Sequence, residues 1–255
     1  MIRYLRDMMA WCRMHGMQKP CKHWWIVRNW RWMLLPLLLA ACAKQVVRAP
    51  VTLPALPPLQ TAGATHYRIN ALQSHIVFLV YRAGPLAAFG HNHVIRAAAI
   101  RGDVYFNPRF ELSGFSFNLP VGKFKVDEPA ERKAAGADFD SQPSPAAITG
   151  TTHNMLGPAL LDVAQYPEIS VRSVRVEGVP AAAGITLRIN LRGAQRDVTV
   201  PVVITATEST LTASGAFTFR QSDFGITPFS VLGGGLQVAD AVKVRFRIVA
   251  VRPRD

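Results

Sequence analysis

Residues 67–100, YRINALQSHIVFLVYRAGPLAAFGHNHVIRAAAI, contain the pattern that decides the fold. Two runs of apolar, β-branched or aromatic residues, 76–81 and 94–100, lie on either side of Gly84-Pro85. Residues of these types favour strands, whereas Gly and Pro mark turns. The stretch therefore predicts two successive β-strands joined by a turn, with a histidine-rich segment at their junction.

The rest of the chain continues this pattern. Segments rich in β-branched and aromatic residues, several of them alternating apolar with polar, predict strands near 104–107, 115–121, 169–176, 185–191, 198–206, 211–220 and 242–251. Between them, residues 129–135 predict a short helix, and residues 145–162 predict a helical segment that Gly157-Pro158 breaks. Regularly spaced strands with one helical insertion predict one all-β domain, a barrel or a sandwich. We expect a single antiparallel barrel, in which the last strand pairs with the first.

The N-terminal region has the features of an export signal. Residues 34–43, LLPLLLAACA, follow Arg28 and Arg31. Ten residues are too few to span a bilayer, which needs about 20, but they suit the apolar core of a secretory signal. Their small residues before Cys42 resemble a bacterial lipobox, so Cys42 is the predicted lipidation site. A cytosolic chain with an apolar N-terminus is the alternative, and Met14 or Met17 is an alternative start.

This interpretation divides the chain into three parts. Residues 1–41 are the predicted leader and lipoprotein signal peptide, and residues 66–252 are the predicted barrel domain. Residues 42–65 contain the lipidated Cys and four prolines, at positions 50, 54, 57 and 58. Proline-rich segments favour extended conformations and act as semi-rigid spacers, so we expect a tether here.

Cysteine content and charge exclude several classes of function. The three cysteines are Cys12, Cys21 and Cys42. After signal removal, none remains for a disulfide, a thiolate metal site or nucleophilic catalysis. Residues 1–41 carry seven Lys/Arg and one acidic residue, a net +6 of the total +13, which leaves a dispersed +7 on the mature part. No basic run with interleaved aromatics indicates nucleic-acid binding.

Several motifs in order resemble the YceI family. They are YRIN at 67–70 with Ser74, YPEI at 166–169, LRGAQR at 191–196 followed by VTVP, RQSDFGI at 220–226, and VAD at 238–240. The resemblance implies a lipocalin-like barrel of the bacterial periplasm. It also implies a long apolar interior that holds a polyisoprenoid chain, such as the tail of an isoprenoid quinone, and no established catalysis.

Aromatic residues on strands supply candidates for the wall of such an interior. The GHNH segment at 90–93 departs from the better-known members, which are less rich in histidine here, and it adds polar candidates. The predicted ligand-binding residues are Phe78, Val80, His91, His93, Phe115, Phe117, Phe217, Phe219 and Phe224.

The two histidines admit three interpretations. Two positions apart on a strand, His91 and His93 would face the same way, as in many metal sites. A metal- or haem-associated protein would need a third ligand, for which the candidates are His66, His75, His153 or a carboxylate such as Asp103. Alternatively, the imidazoles contact a ligand headgroup, or they form local hydrogen bonds.

We expect a carrier or sequestering protein for an apolar isoprenoid-type lipid, not an enzyme. A lipid hydrolase is a weaker hypothesis, because Ser209 and Ser222 lack the motif of a nucleophile elbow. The expected partners are the lipid ligand and the membrane, reached through the lipid anchor. Ala43 is not the aspartate that commonly retains lipoproteins in the inner membrane, so we expect the outer membrane, facing the periplasm.

Overall fold

The computed structural model describes residues 53–254, and about half of them lie in β-strands. The strands are β1 (Thr65–Ile69), β2 (His75–Ala83), β3 (His93–Ala97), β4 (Arg101–Phe106), β5 (Gly114–Pro120), β6 (Lys125–Val126), β7 (Glu168–Val179), β8 (Ala182–Leu191), β9 (Ala194–Ala206), β10 (Thr210–Arg220), β11 (Ser230–Val231) and β12 (Leu236–Val251). The helices are α1 (Pro129–Ala135) and α2 (Pro145–Leu156). Short 3-10 turns are Ala87–Phe89, Phe110–Leu112, Val121–Lys123, Ala137–Phe139, Gln221–Phe224 and Leu232–Gly234.

Eight strands form a closed antiparallel barrel. Their order is β1-β4-β5-β7-β8-β9-β10-β12, and β12 returns to β1 through the pairs Arg68↔Val251 and Ile69↔Ala250. Closure pairs the backbone edges that an open sheet would leave exposed. The predicted all-β barrel is confirmed. The predicted first strand, at 76–81, pairs with β12 as expected, but the ring closes through β1, which the sequence did not predict as a strand.

The long strand β12 also carries a side branch of the sheet. One edge of β12 pairs with β10, and the other pairs first with β2 and then with β1. At the change of partner, the buried Ser74 hydroxyl donates to the Val249 carbonyl (3.1 Å) and accepts from the Val249 amide (3.0 Å). The Ser74 side chain thus satisfies the Val249 amide, and it shares the Val249 carbonyl with the Asn70 amide, which donates to it (2.8 Å). Beyond β2 the branch continues through β3 to β6.

Alternating side chains create the barrel interior. On β8, residues 183, 185, 187, 189 and 191 are buried, whereas the residues between them are partly exposed. This alternation follows from the period of two in a strand. The inward residues of the ring strands form one apolar core, and each fully buried aliphatic side chain contributes roughly 1.5–3 kcal/mol.

The helices lie between β6 and β7, where the composition predicts them. Helix α1 has the predicted bounds, and Pro129 occupies its first position. Helix α2 is capped by Ser144, whose side chain accepts from the Ala147 amide, and it ends at Leu156 before Gly157. The predicted strand 94–100 ends earlier, at Ala97, because Ala99 adopts a positive φ of 58° that breaks the extended conformation.

Residues 53–64 run along the outside of the barrel. The Leu53 amide donates to Gln195 Oε1 (3.1 Å), and Arg188 and Arg172 donate to the carbonyls of Pro54 and Pro57. This part of the predicted tether therefore contacts the domain. The predicted signal peptide, Cys42 and the start of the tether lie outside the described residues. Among the described helices, none is long and apolar enough to cross a membrane.

Candidate functional site

The barrel encloses an apolar cavity. The empty space between its lining side chains amounts to about 1200 Å³, part of which is open to solvent. Branched aliphatic and phenylalanine side chains from all eight ring strands supply nearly the whole wall. A barrel of eight strands is wide enough to hold one small ligand.

A second cavity, of about 940 Å³, adjoins the first. Its wall includes side chains of α2 and of the segment after β10, among them Met155 and Ile226. Four polar residues also line it, His93, Thr151, Asn154 and Gln221. The two cavities share the lining residues Phe78, Ile169, Leu191 and Phe219. The two cavities thus adjoin at these four side chains, and the first is almost wholly apolar whereas the second is more polar.

The structure places most of the predicted ligand-binding residues on these walls. The first cavity alone is lined by Phe115, Phe117, Phe217 and Phe224, the second alone by Val80 and His93, and both by Phe78 and Phe219. His91 lines neither cavity. The sequence did not indicate the contributions of α2 and of residues 226–229, because these segments reach the cavity through tertiary packing.

His93 is held by a buried carboxylate. Its Nδ1 atom lies 2.7 Å from Asp127 Oδ2, and the Asp127 side chain is fully buried. Asp127 Oδ1 accepts from the Val94 amide (2.9 Å) and from Arg132. Burial alone raises the pKa of Asp127, but the hydrogen bonds from His93, Val94 and Arg132 outweigh it and hold this pKa below its ordinary value. Asp127 is therefore an anion at neutral pH.

Arg132 completes this buried network. Its guanidinium donates to the Asn92 carbonyl (2.8 Å) and to the Ser141 carbonyl and hydroxyl (2.8 Å each). Asn92 in turn accepts from the Arg82 amide (3.0 Å) and donates to the Asp138 carbonyl (2.7 Å). These bonds join the 91–93 segment to α1 and to the turn after it. They give the local structure a fixed geometry at the entrance to β3.

His91 lies just before β3 and not on the strand itself. Its ring packs edge-on against that of His93, with 4.6 Å between the centroids. Its Nε2 atom is buried and has no hydrogen-bond partner among the described residues. Burial first, and then the neighbouring His93, lowers the pKa of His91. The ring is therefore a neutral imidazole at neutral pH.

Asp127 is the acidic residue that the structure brings to the two histidines. One potential ligand atom from each of His91, His93 and Asp127 lies within 4.8 Å of the others. The third ligands considered from the sequence have other surroundings: His66 contacts Asp103 (2.7 Å), His75 contacts Glu131 (2.8 Å), and His153 is exposed on α2. No motif marks Asp127, which contacts His93 because β6 pairs with β3.

The serines considered for hydrolysis do not form a catalytic group with histidine. Ser222 donates to Asp240 Oδ2 (2.6 Å), and its amide donates to Asp240 Oδ1 (2.8 Å). Ser209 is exposed between β9 and β10. Within residues 53–254, neither hydroxyl has a hydrogen bond to an imidazole among the contacts of the structure.

Comparisons with known proteins agree with this architecture. BcnA of Burkholderia cenocepacia has a similar structure, with a TM-score of 0.52, 16% sequence identity, and coverage of 71% of this chain and 98% of BcnA. At this identity the likeness concerns the fold. A Campylobacter jejuni YCEI protein gives a TM-score of 0.46 at 11% identity, with coverage of 63% and 85%. No curated protein matches the chain. The model of the YceI-like domain matches residues 67–250, so the chain belongs to the YceI-like family.

Proposed function

We propose that this protein binds one slender apolar lipid of the isoprenoid type, such as an isoprenoid quinone, and carries or sequesters it without chemical turnover. The supporting observation is the pair of adjoining, largely apolar cavities in the barrel. Each methylene that moves from water into such a space contributes roughly 0.8 kcal/mol. A long hydrocarbon tail therefore binds strongly without a polar contact.

The distribution of polar groups indicates how the ligand is oriented in the two cavities. The first cavity is lined almost wholly by hydrocarbon side chains, whereas His93, Thr151, Asn154 and Gln221 lie on the second. A few placed polar groups in an apolar pocket orient a ligand. We place the tail in the first cavity and the carbonyl- or hydroxyl-bearing headgroup in the second, within reach of His93.

The N-terminal sequence supports a location at the cell envelope. The lipobox-like residues before Cys42 would anchor the protein by a lipid, and Ala43 favours the outer membrane, facing the periplasm. A lipid-anchored barrel stays close to the membranes in which its lipid ligand is dissolved. We propose this placement together with the carrier function.

Mass spectrometry of organic extracts tests the proposal. The full chain is purified from its host without added lipid, alongside two variants that place a large ring on opposite faces of β10. Ala213 lines the first cavity, and Ala216 is exposed on the outside of the same strand. We expect about one isoprenoid molecule per protein in the wild type and in Ala216→Trp, and at least a tenfold lower content in Ala213→Trp.

Two results would contradict the proposal. One is a wild-type protein that yields no apolar molecule, either from its host or after incubation with isoprenoid quinone. The other is an equal lipid content in Ala213→Trp and Ala216→Trp, because a ligand in the barrel must compete with the ring at position 213. Circular dichroism establishes that both variants keep the β-structure.

A further inference from the structure

The cluster of His91, His93 and Asp127 has a composition that the carrier function does not require. We propose that these three side chains bind a divalent transition-metal ion, with Zn²⁺ as the ion best suited to the donors. Two imidazoles and one carboxylate form a known ligand set for zinc, in which a fourth position remains open. This proposal goes beyond lipid binding and does not depend on it.

The distances allow such a site with small movements. The three potential ligand atoms lie within 4.8 Å of one another. Ligands at about 2.0–2.1 Å from a tetrahedral ion are themselves roughly 3.3 Å apart. His93 Nδ1 and Asp127 Oδ2, which are 2.7 Å apart, therefore have to separate slightly, and His91 has to approach them. His91 can supply this movement, because it precedes β3 and takes no part in the sheet. Among residues 53–254, its Nε2 atom has no hydrogen bond that would oppose the rotation.

The buried Nε2 atom of His91 is the second observation that indicates a ligand. This atom is shielded from solvent and has no hydrogen-bond partner in the described part of the chain. Buried polar atoms without a partner are uncommon, because each costs about 1–3 kcal/mol of lost hydration. A bound metal ion would satisfy this nitrogen. The imidazole is neutral at neutral pH, which is the protonation state that binds metals.

Asp127 can coordinate the ion and still keep the hydrogen bonds that hold its Oδ1 atom. Its Oδ1 atom already accepts from the Val94 amide and from Arg132, whereas among residues 53–254 its Oδ2 atom has a hydrogen bond only with His93 Nδ1. Because an ionised carboxylate can only accept, His93 Nδ1 carries the proton of this bond. When an ion takes the place of that proton, the ring adopts its other tautomer, with the proton on Nε2, and both atoms become ligands.

Zinc titration calorimetry on the full chain, after dialysis against EDTA, tests the site. His91→Ala is the main variant, because the buried Nε2 atom of His91 has no hydrogen bond to lose within the described part of the chain, and His93→Ala is the second. His66→Ala and His75→Ala are the matched controls, since these rings pair with Asp103 and Glu131 outside the cluster. Any zinc bound by the cysteines and histidines before residue 53 is common to all these chains.

We expect the wild type and both controls to bind one more Zn²⁺ per chain than His91→Ala does. If His91→Ala keeps this ion, we expect its zinc affinity to be at least tenfold weaker. Cobalt gives a spectroscopic readout: the wild type should show the visible absorption bands of tetrahedral Co²⁺, and His91→Ala should lack them. Equal zinc stoichiometry and affinity in the wild type and His91→Ala would overturn the proposal. A loss of zinc binding in His66→Ala as large as that in His91→Ala would overturn the proposal too.

Discussion

The Nδ1 atom of His93 lies 2.7 Å from Oδ2 of Asp127, so a side chain that begins one strand is held by a carboxylate 34 residues further along the chain. Asp127 is fully buried, and its second oxygen contacts Arg132, whose side chain is only 6% exposed. A charged pair is thus sealed inside the protein beside the second cavity. This arrangement makes the 91–93 segment sensitive to any change in charge.

We expect Asp127→Asn to be strongly destabilising. The amide is neutral, so Arg132 would remain buried without a counter-charge, and breaking a buried pair in this way costs about 3–5 kcal/mol. Glu168→Gln is the control, because Glu168 contacts Arg101 at the surface and exposed pairs contribute about 0–1 kcal/mol. Urea unfolding measures both changes. A similar loss of unfolding free energy in the two variants would show that the buried pair stabilises the protein no more than an exposed pair does.

The stability of the metal-free protein should depend on the protonation of His91. Burial and His93 lower the pKa of His91 in the folded state, so the unfolded chain binds the proton more readily. Its stabilising contribution is therefore complete above the unfolded pKa of about 6.5, and it is lost as the pH falls through the lower folded pKa.

Urea unfolding in EDTA, at a series of pH values from about 7.5 downward through this range, measures the effect. We expect His91→Gln to show a shallower fall in the free energy of unfolding than the wild type. His153→Gln, on an exposed face of α2, should retain the wild-type slope. If His91→Gln has the same slope as the wild type, His91 is not the group that is linked to folding.

The sequence predicts the barrel well because its signals are local. The alternation in β8 and β12, the turn glycines and the proline at the start of α1 each depend on a few neighbouring residues. The strand β1 is missed as an element, since five residues are too short for a clear alternation. It forms because it pairs with β4 and β12, which are distant in sequence.

The candidate site is predicted only in part for the same reason. The phenylalanines are recognisable from the sequence as bulky strand residues, and the histidines from their spacing. Asp127 could not be linked to them, because its contact with His93 depends on the two-residue strand β6. Similarly, Pro54 and Pro57 predict an extended segment, but not that its carbonyls accept from arginines on the barrel wall.

Close packing of β4 against β5 should make Gly102 intolerant of any side chain. A Cβ atom at this position would lie 2.2 Å from the Ser116 carbonyl oxygen and 2.4 Å from Phe117 Cβ, so the strands would have to separate. We expect Gly102→Ala to cost about 1–3 kcal/mol or more, as overpacking does. Gly184→Ala, on β8, is the control, because a Cβ atom there meets nothing within 4 Å. Thermal unfolding of both variants measures the difference, and equal melting temperatures would contradict this account of β4 and β5.

Phe219 should control the length of ligand that the protein accepts. Its ring lines both cavities and packs edge-on against Phe224, with 5.5 Å between centroids, so it stands where the two spaces meet. Removing the ring widens this junction, and a longer tail can then extend from one cavity into the other. We expect Phe219→Ala to shift the ratio of affinities for a long and a short isoprenoid quinone about tenfold toward the long one, equivalent to about 1.4 kcal/mol.

Phe217→Ala is the matched control for this experiment. Phe217 lies two residues earlier on β10 and lines the first cavity alone, so its removal enlarges that cavity without widening the junction. Competition between the two quinones for each variant, measured at equal protein concentration, gives the affinity ratio. Because a ratio is compared, a general loss of binding or stability in either variant cancels. An unchanged ratio in Phe219→Ala, or the same shift in Phe217→Ala, would show that tail length is not limited at the junction between the cavities.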